Sequence, residues 1–143
     1  MMASEGVGLM VWSPLAGGLL SGKYDRDSAG PQGARRTSFD FPPIDKERAW
    51  PIIDAMRTIA DAKGASVARV ALAYILAKPF VTSIIVGAKT VEQLDDNLAA
   101  VSLTLSGEEI ARLDSVSELP AEYPGWMFAR QGGNRVPKPF VKA

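Results

Sequence analysis

Two short segments hold the residues whose types and spacing could do chemistry. They are W-S-P-L-A-G-G-L-L-S-G-K-Y at 12–24 and G-A-K-T-V-E-Q-L-D-D-N at 87–97. In the second, T-x-x-Q from Thr90 to Gln93 has the form of a capping box, so a helix begins there. Lys89 then stands beside the free backbone N–H groups of a helix start. That combination suits a phosphate dianion, with the ammonium acting as a point charge. Gln93 and Asn97 are four residues apart and share a helix face, with Asp96 beside them. A plainer reading stays open, in which Thr90 and Gln93 only cap the helix and Asp96 and Asn97 are solvated. In the first segment Trp12 closes an apolar run, Gly17 and Gly18 make a turn, and Lys23 adds charge. Here too the plain alternative stands: Trp12 in the core, and Gly17-Gly18 as nothing more than a turn.

Other chemistries are excluded by what is missing. The 143 residues contain no cysteine and no histidine. Disulfides, iron–sulfur clusters and thiol catalysis are therefore ruled out. So are the commonest metal ligand and the commonest general base, and we assign no metal site. Lys and Arg number 16 against 16 Asp and Glu, for a formal net charge of zero. A general nucleic-acid binder needs an excess of cations, so nucleic acid is not an expected partner. The chain is 47% hydrophobic and 22% charged, as globular proteins are. Residues 7–12 are too short an apolar run for a membrane span or a signal-peptide core. A cytoplasmic location and no membrane partner are the expectations.

Certain elements must position the two segments. Residues 7–12 (V-G-L-M-V-W) and 81–86 (V-T-S-I-I-V) read as strands buried on both faces, as parallel strands are. A turn-rich stretch from 13 to 43 follows the first strand, long enough to belong to a binding site or lid. Asp45 caps a helix to about Lys63, with either a kink at Pro51 or a start close to it. Gly64 stops that helix. Ser66 caps the next, over 67–78, which contains Tyr74, a residue expected to pack rather than react. After the second strand a helix runs from Thr90 to about 101, and Ser106-Gly107-Glu108-Glu109 opens another to about 116. From 120 onward Pro, Gly and aromatics without period read as an irregular packed arm. The alternation is that of an α/β fold with parallel strands. Two such strands alone leave open edges, so isolated chains are expected to self-associate through them or to be poorly ordered.

The two segments together resemble the aldo-keto reductase family. The first resembles that family's seventh-strand exit. The second resembles its eighth-strand exit and following helix, and the L-S-x-E-E helix start at 105–109 follows in the right order. The resemblance covers essentially the whole chain. It implies the C-terminal part of a (β/α)8 barrel, one cofactor-binding segment over 1–143, bound to NADPH without a Rossmann fold. It implies that Lys89 and Thr90, just after Gly87, take the adenosine 2′-phosphate. Gln93, Asp96 and Asn97 would flank the adenine and its ribose. Trp12 would stack on the nicotinamide, and Ser13, Leu15, Ala16 and Gly17 would cradle the pyrophosphate, with Lys23 adding charge. Arg35 or Arg36 would belong to a loop over the cofactor, with surface solvation as the alternative. Trp126 and Phe128 would line a substrate mouth, or simply pack.

The family reduces small carbonyl compounds with an Asp, Tyr, Lys and His tetrad carried on earlier strands. This sequence has no His, and Tyr24, Tyr74 and Tyr123 lie outside the family's catalytic context, so no catalytic residue is assigned. The chain reads as starting just before the seventh strand, through an artificial start at Met1-Met2-Ala3-Ser4 or as a genuine truncated product. Three readings stand: part of an NADPH-dependent carbonyl reductase, a non-catalytic NADP-binding or assembly module, and a nonfunctional remnant.

Overall fold

A computed structural model describes residues 2–28, 30–34, 36, 39 and 41–131. After a short helix α1 (Met2–Glu5), strand β1 (Leu9–Trp12) pairs in parallel with β2 (Val81–Ile85). Leu9 lies opposite Val81 and Trp12 opposite Ile85, with an irregularity between Leu9 and Met10. Parallel pairing demands a crossover between the strands. It consists of the long loop, α2 (Lys46–Lys63) and α3 (Val67–Leu76). Beyond β2 come α4 (Val91–Leu98), a 3₁₀ turn (Ala99–Ser102), α5 (Gly107–Ser117) and α6 (Gly125–Gln131).

Each longer helix is started by the side chain the sequence offers. Asp45 accepts from the Arg48 N–H, Ser66 from Arg69, Thr90 from Gln93, and Ser106 from Glu109. At α5 the capping box is complete, because the Glu109 carboxylate accepts from the Ser106 N–H at 2.7 Å. Helix α2 ends on Gly64, whose φ of +60° suits a residue without Cβ. Pro51 does not set the start of α2, which begins at Lys46 and runs through it. The carbonyl deprived of a partner is that of Glu47, in the exposed first turn, where water can replace the missing N–H.

The apolar stripes of α2, α3 and α5 meet in a core containing Met56, Ile59, Val70, Leu105 and Leu113. A second cluster joins Trp50 and Ile53 of α2 to Leu19 and Tyr24. Leu19 lies on a 3₁₀ turn (Ala16–Ser21) directly after β1. Arg57 of α2 holds the chain beyond that turn, donating to the Tyr24 carbonyl at 2.8 Å and to Asp25 at 2.6 Å.

Two expectations fail. The strands are not buried on both faces: Met10 and Trp12 alternate outward and are 64% and 67% exposed, and Ile85 is 46% exposed. Leu9 and Val11, which alternate with them, are partly covered. The segment from 120 is not irregular throughout, since 125–131 is helical; its Trp126 ring lies against Tyr123, centroids 6.4 Å apart. The arm beyond 131 lies outside the described residues. Among the described residues no helix is long and apolar enough to cross a membrane.

Candidate functional site

The carboxyl ends of β1 and β2 lie side by side because the strands are parallel, and both chain exits open onto one cleft of about 670 Å³. The β1 exit contributes Ser13, Leu15, Gly17, Gly18, Ser21 and Lys23. The β2 exit and α4 contribute Gly87, Lys89, Gln93, Asp96 and Asn97. Nine of the twelve residues singled out from the sequence thus line one cavity. Trp12, Ala16 and Thr90 are not among the lining residues.

The β1 exit turns sharply by adopting left-handed backbone. Ser13 and Ala16 have φ of +56° and +50°, and Gly17 and Gly18 follow at +67° and +93°. For Ser13 and Ala16 this conformation is strained, the kind of local cost that clusters at binding sites. Gly17 is required twice over. Besides its φ, a Cβ there would stand 2.7 Å from the Phe41 carbonyl oxygen, a backbone atom with little freedom to withdraw. Gly87 differs, since a Cβ there would meet nothing within 4 Å.

Arg36 is neither solvated nor a cleft-lining residue. It is buried, and its guanidinium donates to the Ala16 carbonyl at 3.0 Å and the Pro42 carbonyl at 2.9 Å. Its backbone N–H donates to the Tyr24 hydroxyl at 3.2 Å. Arg36 therefore pins the long loop to the β1 exit. Arg35 lies outside the described residues, as does the Phe128 side chain. Trp126 is not among the residues lining the cleft.

At the β2 exit the capping half of the plain reading is realised, and the solvated half is not. Thr90 caps α4, and Gln93 Oε1 accepts from the Lys89 N–H at 2.9 Å. Gln93 still lines the cleft, with its amide nitrogen left to donate. The Glu92 carboxyl is held below its ordinary value of 4.5 by its own backbone N–H and then by Thr90, as a first-turn acid should be. Asn97 is only 9% exposed and faces the cleft. Asp96 is not simply solvated: Arg69 donates to its Oδ1 at 2.7 and 3.2 Å, and the Ser66 hydroxyl donates to its Oδ2.

Sequence reasoning missed Ser66 and Ala68 at the start of α3, and residues 31–34 of the loop, all of which line the cleft. The loop's length was a signal for its part. For Ser66 there was none, because its hydroxyl already had a sufficient role as helix cap.

The family model described as "Aldo/keto reductase family" matches residues 1–118. The chain belongs to the aldo/keto reductase family. It is 39% identical over 111 residues to the uncharacterized oxidoreductase YrpG of Bacillus subtilis, covering 78% of this chain and 32% of that protein. Against Protein tas of Escherichia coli K12 the identity is 37% over 116 residues, covering 80% and 33%. Among solved structures, it is similar to the thermostable aldo-keto reductase Tm1743 in complex with the inhibitor epalrestat. There the TM-score is 0.52 and the identity 31%, over 80% of this chain and 31% of that one. The chain spans about a third of the length of the curated relatives it matches.

As a family member, the chain has its α/β elements and its cleft where the two strand exits meet. None of its tyrosines reaches that cleft. Tyr24 is buried under Arg36, and the Tyr74 hydroxyl donates to Asp114 beside the Lys78 ammonium. Tyr123 is exposed next to α6.

Proposed function

We propose that this chain is the cofactor-binding part of an NADPH-dependent oxidoreductase that reduces aldehydes or ketones to alcohols. The observation that carries this reading is the convergence of the two strand exits on one cleft. Its volume is in the range of small-molecule and cofactor sites. Lys23 and Lys89 both line it, and neither is in an ion pair among the described residues. A dinucleotide carrying three phosphates fits that donor set.

NADPH, when bound, supplies a hydride to a carbonyl carbon. The residues of this chain would bind and orient it. Lys89 and the start of α4 would hold the 2′-phosphate, with Thr90 reinforcing that helix end. Gln93 and Asn97 would meet the adenine edge through their amides. Ser13, Leu15, Ala16 and Gly17 would wrap the pyrophosphate, with Lys23 as counter-charge. Trp12 ends β1 with an exposed ring, free to stack on the nicotinamide.

A second reading, a non-catalytic NADP-binding or assembly module, is favoured by the absence of any tyrosine from the cleft-lining residues. Fluorescence titration of NADPH and NADH into the chain tests the binding common to both readings. Saturable NADPH binding, lost in Lys89→Ala, supports it; no binding of either cofactor sinks it. No tyrosine lines the cleft to deliver the proton that must accompany hydride transfer, so turnover by the chain alone separates the two readings.

A further inference from the structure

Asp96 is the one acidic residue among the described residues lining the cleft, and Lys23 and Lys89 are the cationic ones. A free carboxylate on α4 would repel any phosphate held by Lys89 near the start of the same helix, or would draw the ammonium to itself. In the structure that carboxylate is occupied. Arg69 donates to Oδ1 through both Nε and Nη2, and Ser66 donates to Oδ2. These donors use three of its roughly four acceptor positions. Ser66 is itself fixed, since its oxygen accepts from the Arg69 N–H at 3.0 Å while capping α3. Arg69 does not line the cleft, so it neutralises the carboxylate from behind. The side chains of Arg69 and Asp96 are each 30% exposed, so solvent only partly screens the pair.

We propose that Arg69 is a positioning residue that makes the cleft selective for a ribose carrying a phosphate, by masking the charge of Asp96. This rests on the cofactor-site reading above. The pair leaves the cleft with two ammonium groups and a compensated carboxylate, a balance that favours a dianion over a hydroxyl at the α4 end. It also ties α4 to α3, keeping Asn97 turned into the cleft next to the neutralised Asp96.

The test titrates adenosine 2′,5′-bisphosphate and adenosine 5′-phosphate into the full chain by calorimetry. Both probes need only the adenylate end of the site. Wild type is expected to prefer the bisphosphate. Arg69→Ala should cut that preference roughly three- to tenfold, chiefly through weaker bisphosphate binding. Arg69→Lys should retain most of it, and Arg69→Ala with Asp96→Asn should restore it. Asp96→Asn alone, with Arg69 left in place, should not lower it, and this measurement stands even if Arg69→Ala folds poorly. A preference unchanged in Arg69→Ala overturns the role of Arg69 and leaves the cofactor site standing. A double variant as weak as Arg69→Ala overturns the masking argument, because packing alone was lost. A wild type that binds neither probe overturns the cofactor-site reading and the inference with it, whereas one that binds both equally overturns the selectivity inference alone.

Discussion

The Gln93 side chain folds back along α4 so that its Oε1 accepts from the backbone N–H of Lys89 at 2.9 Å. The contact fixes the residue before the helix cap, and so the root of the one cationic side chain at that end of the cleft. Lys89→Ala is therefore expected to weaken NADPH much more than NADH. A charge-assisted contact contributes about 1.5–3 kcal/mol, or roughly tenfold to a hundredfold in affinity. Lys89 is exposed, so solvent screening favours the lower end. Parallel fluorescence titrations measure both losses, and equal ones would show that Lys89 does not read the phosphate.

The purified chain is expected not to reduce carbonyl compounds by itself. There is no His in the sequence, and Tyr24 and Tyr74 are engaged away from the cleft. NADPH oxidation with a panel of aldehydes and quinones should match a protein-free control. Sustained turnover that copurifies with the chain would contradict this.

Stability should fall on the acid side through two helix-end carboxylates. Glu109 is held below its ordinary 4.5 by the Ser106 N–H, with Lys63 adding to it. Asp114 is held below 3.8 by hydrogen bonds from Lys78 and Tyr74. A depressed folded pKa contributes stability above the unfolded value, and that contribution is lost as pH falls through the folded one. The loss should therefore begin below about pH 4.5 and continue below 3.8. Glu109→Gln should flatten the upper part of that limb in urea denaturation at stepped pH. An unchanged slope there would remove Glu109 from the account.

Lys78 gives the opposite limb. Burial pushes its ammonium down, but the bonds to Asp114 and Tyr74 outweigh this and leave it above 10.5. Its stabilisation is present below 10.5 and is lost as pH rises through the raised value. Lys78→Met should remove that alkaline decline, and hydrogen-exchange rates at the α3–α5 contact above pH 10 would report it.

Isolated chains should associate. Met10, Trp12 and Ile85 form an exposed apolar sheet face, and Val91, Leu94, Leu98 and Val101 an exposed stripe along α4 and the turn after it. Contiguous apolar surface of this kind rarely stays in water. Sedimentation across a concentration series should show the mean mass rising. A cooperative monomer at every concentration would count against it.

Much of the secondary structure was legible because helix starts are local events. Asp45 and Arg48, Ser66 and Arg69, Thr90 and Gln93, and Ser106 and Glu109 are each three residues apart. A cap needs nothing beyond that spacing and a side-chain oxygen. The β1 and β2 runs were legible as short apolar stretches ended by Pro14 and Gly87. The 3₁₀ turn at Ala16–Ser21 and the helix at Gly125–Gln131 were not, since neither has a periodic apolar face to announce it.

The sequence by itself determined where the four longer helices begin, which two segments hold the polar groups that line the cleft, and which reactions lack their residues. Only the tertiary structure decided which partners those residues meet. Arg36 reads as either a cofactor-loop residue or a surface cation until the loop folds and brings the Ala16 and Pro42 carbonyls to it. Asp96 reads as an adenine-side or a solvated acid until α3 packs beside α4 and supplies Arg69 and Ser66. For Trp12 the alternative of a core position falls only when the strand's outward alternation leaves the ring 67% exposed. Burial and pairing between residues distant in the chain depend on how helices and strands pack, and no local spacing encodes that.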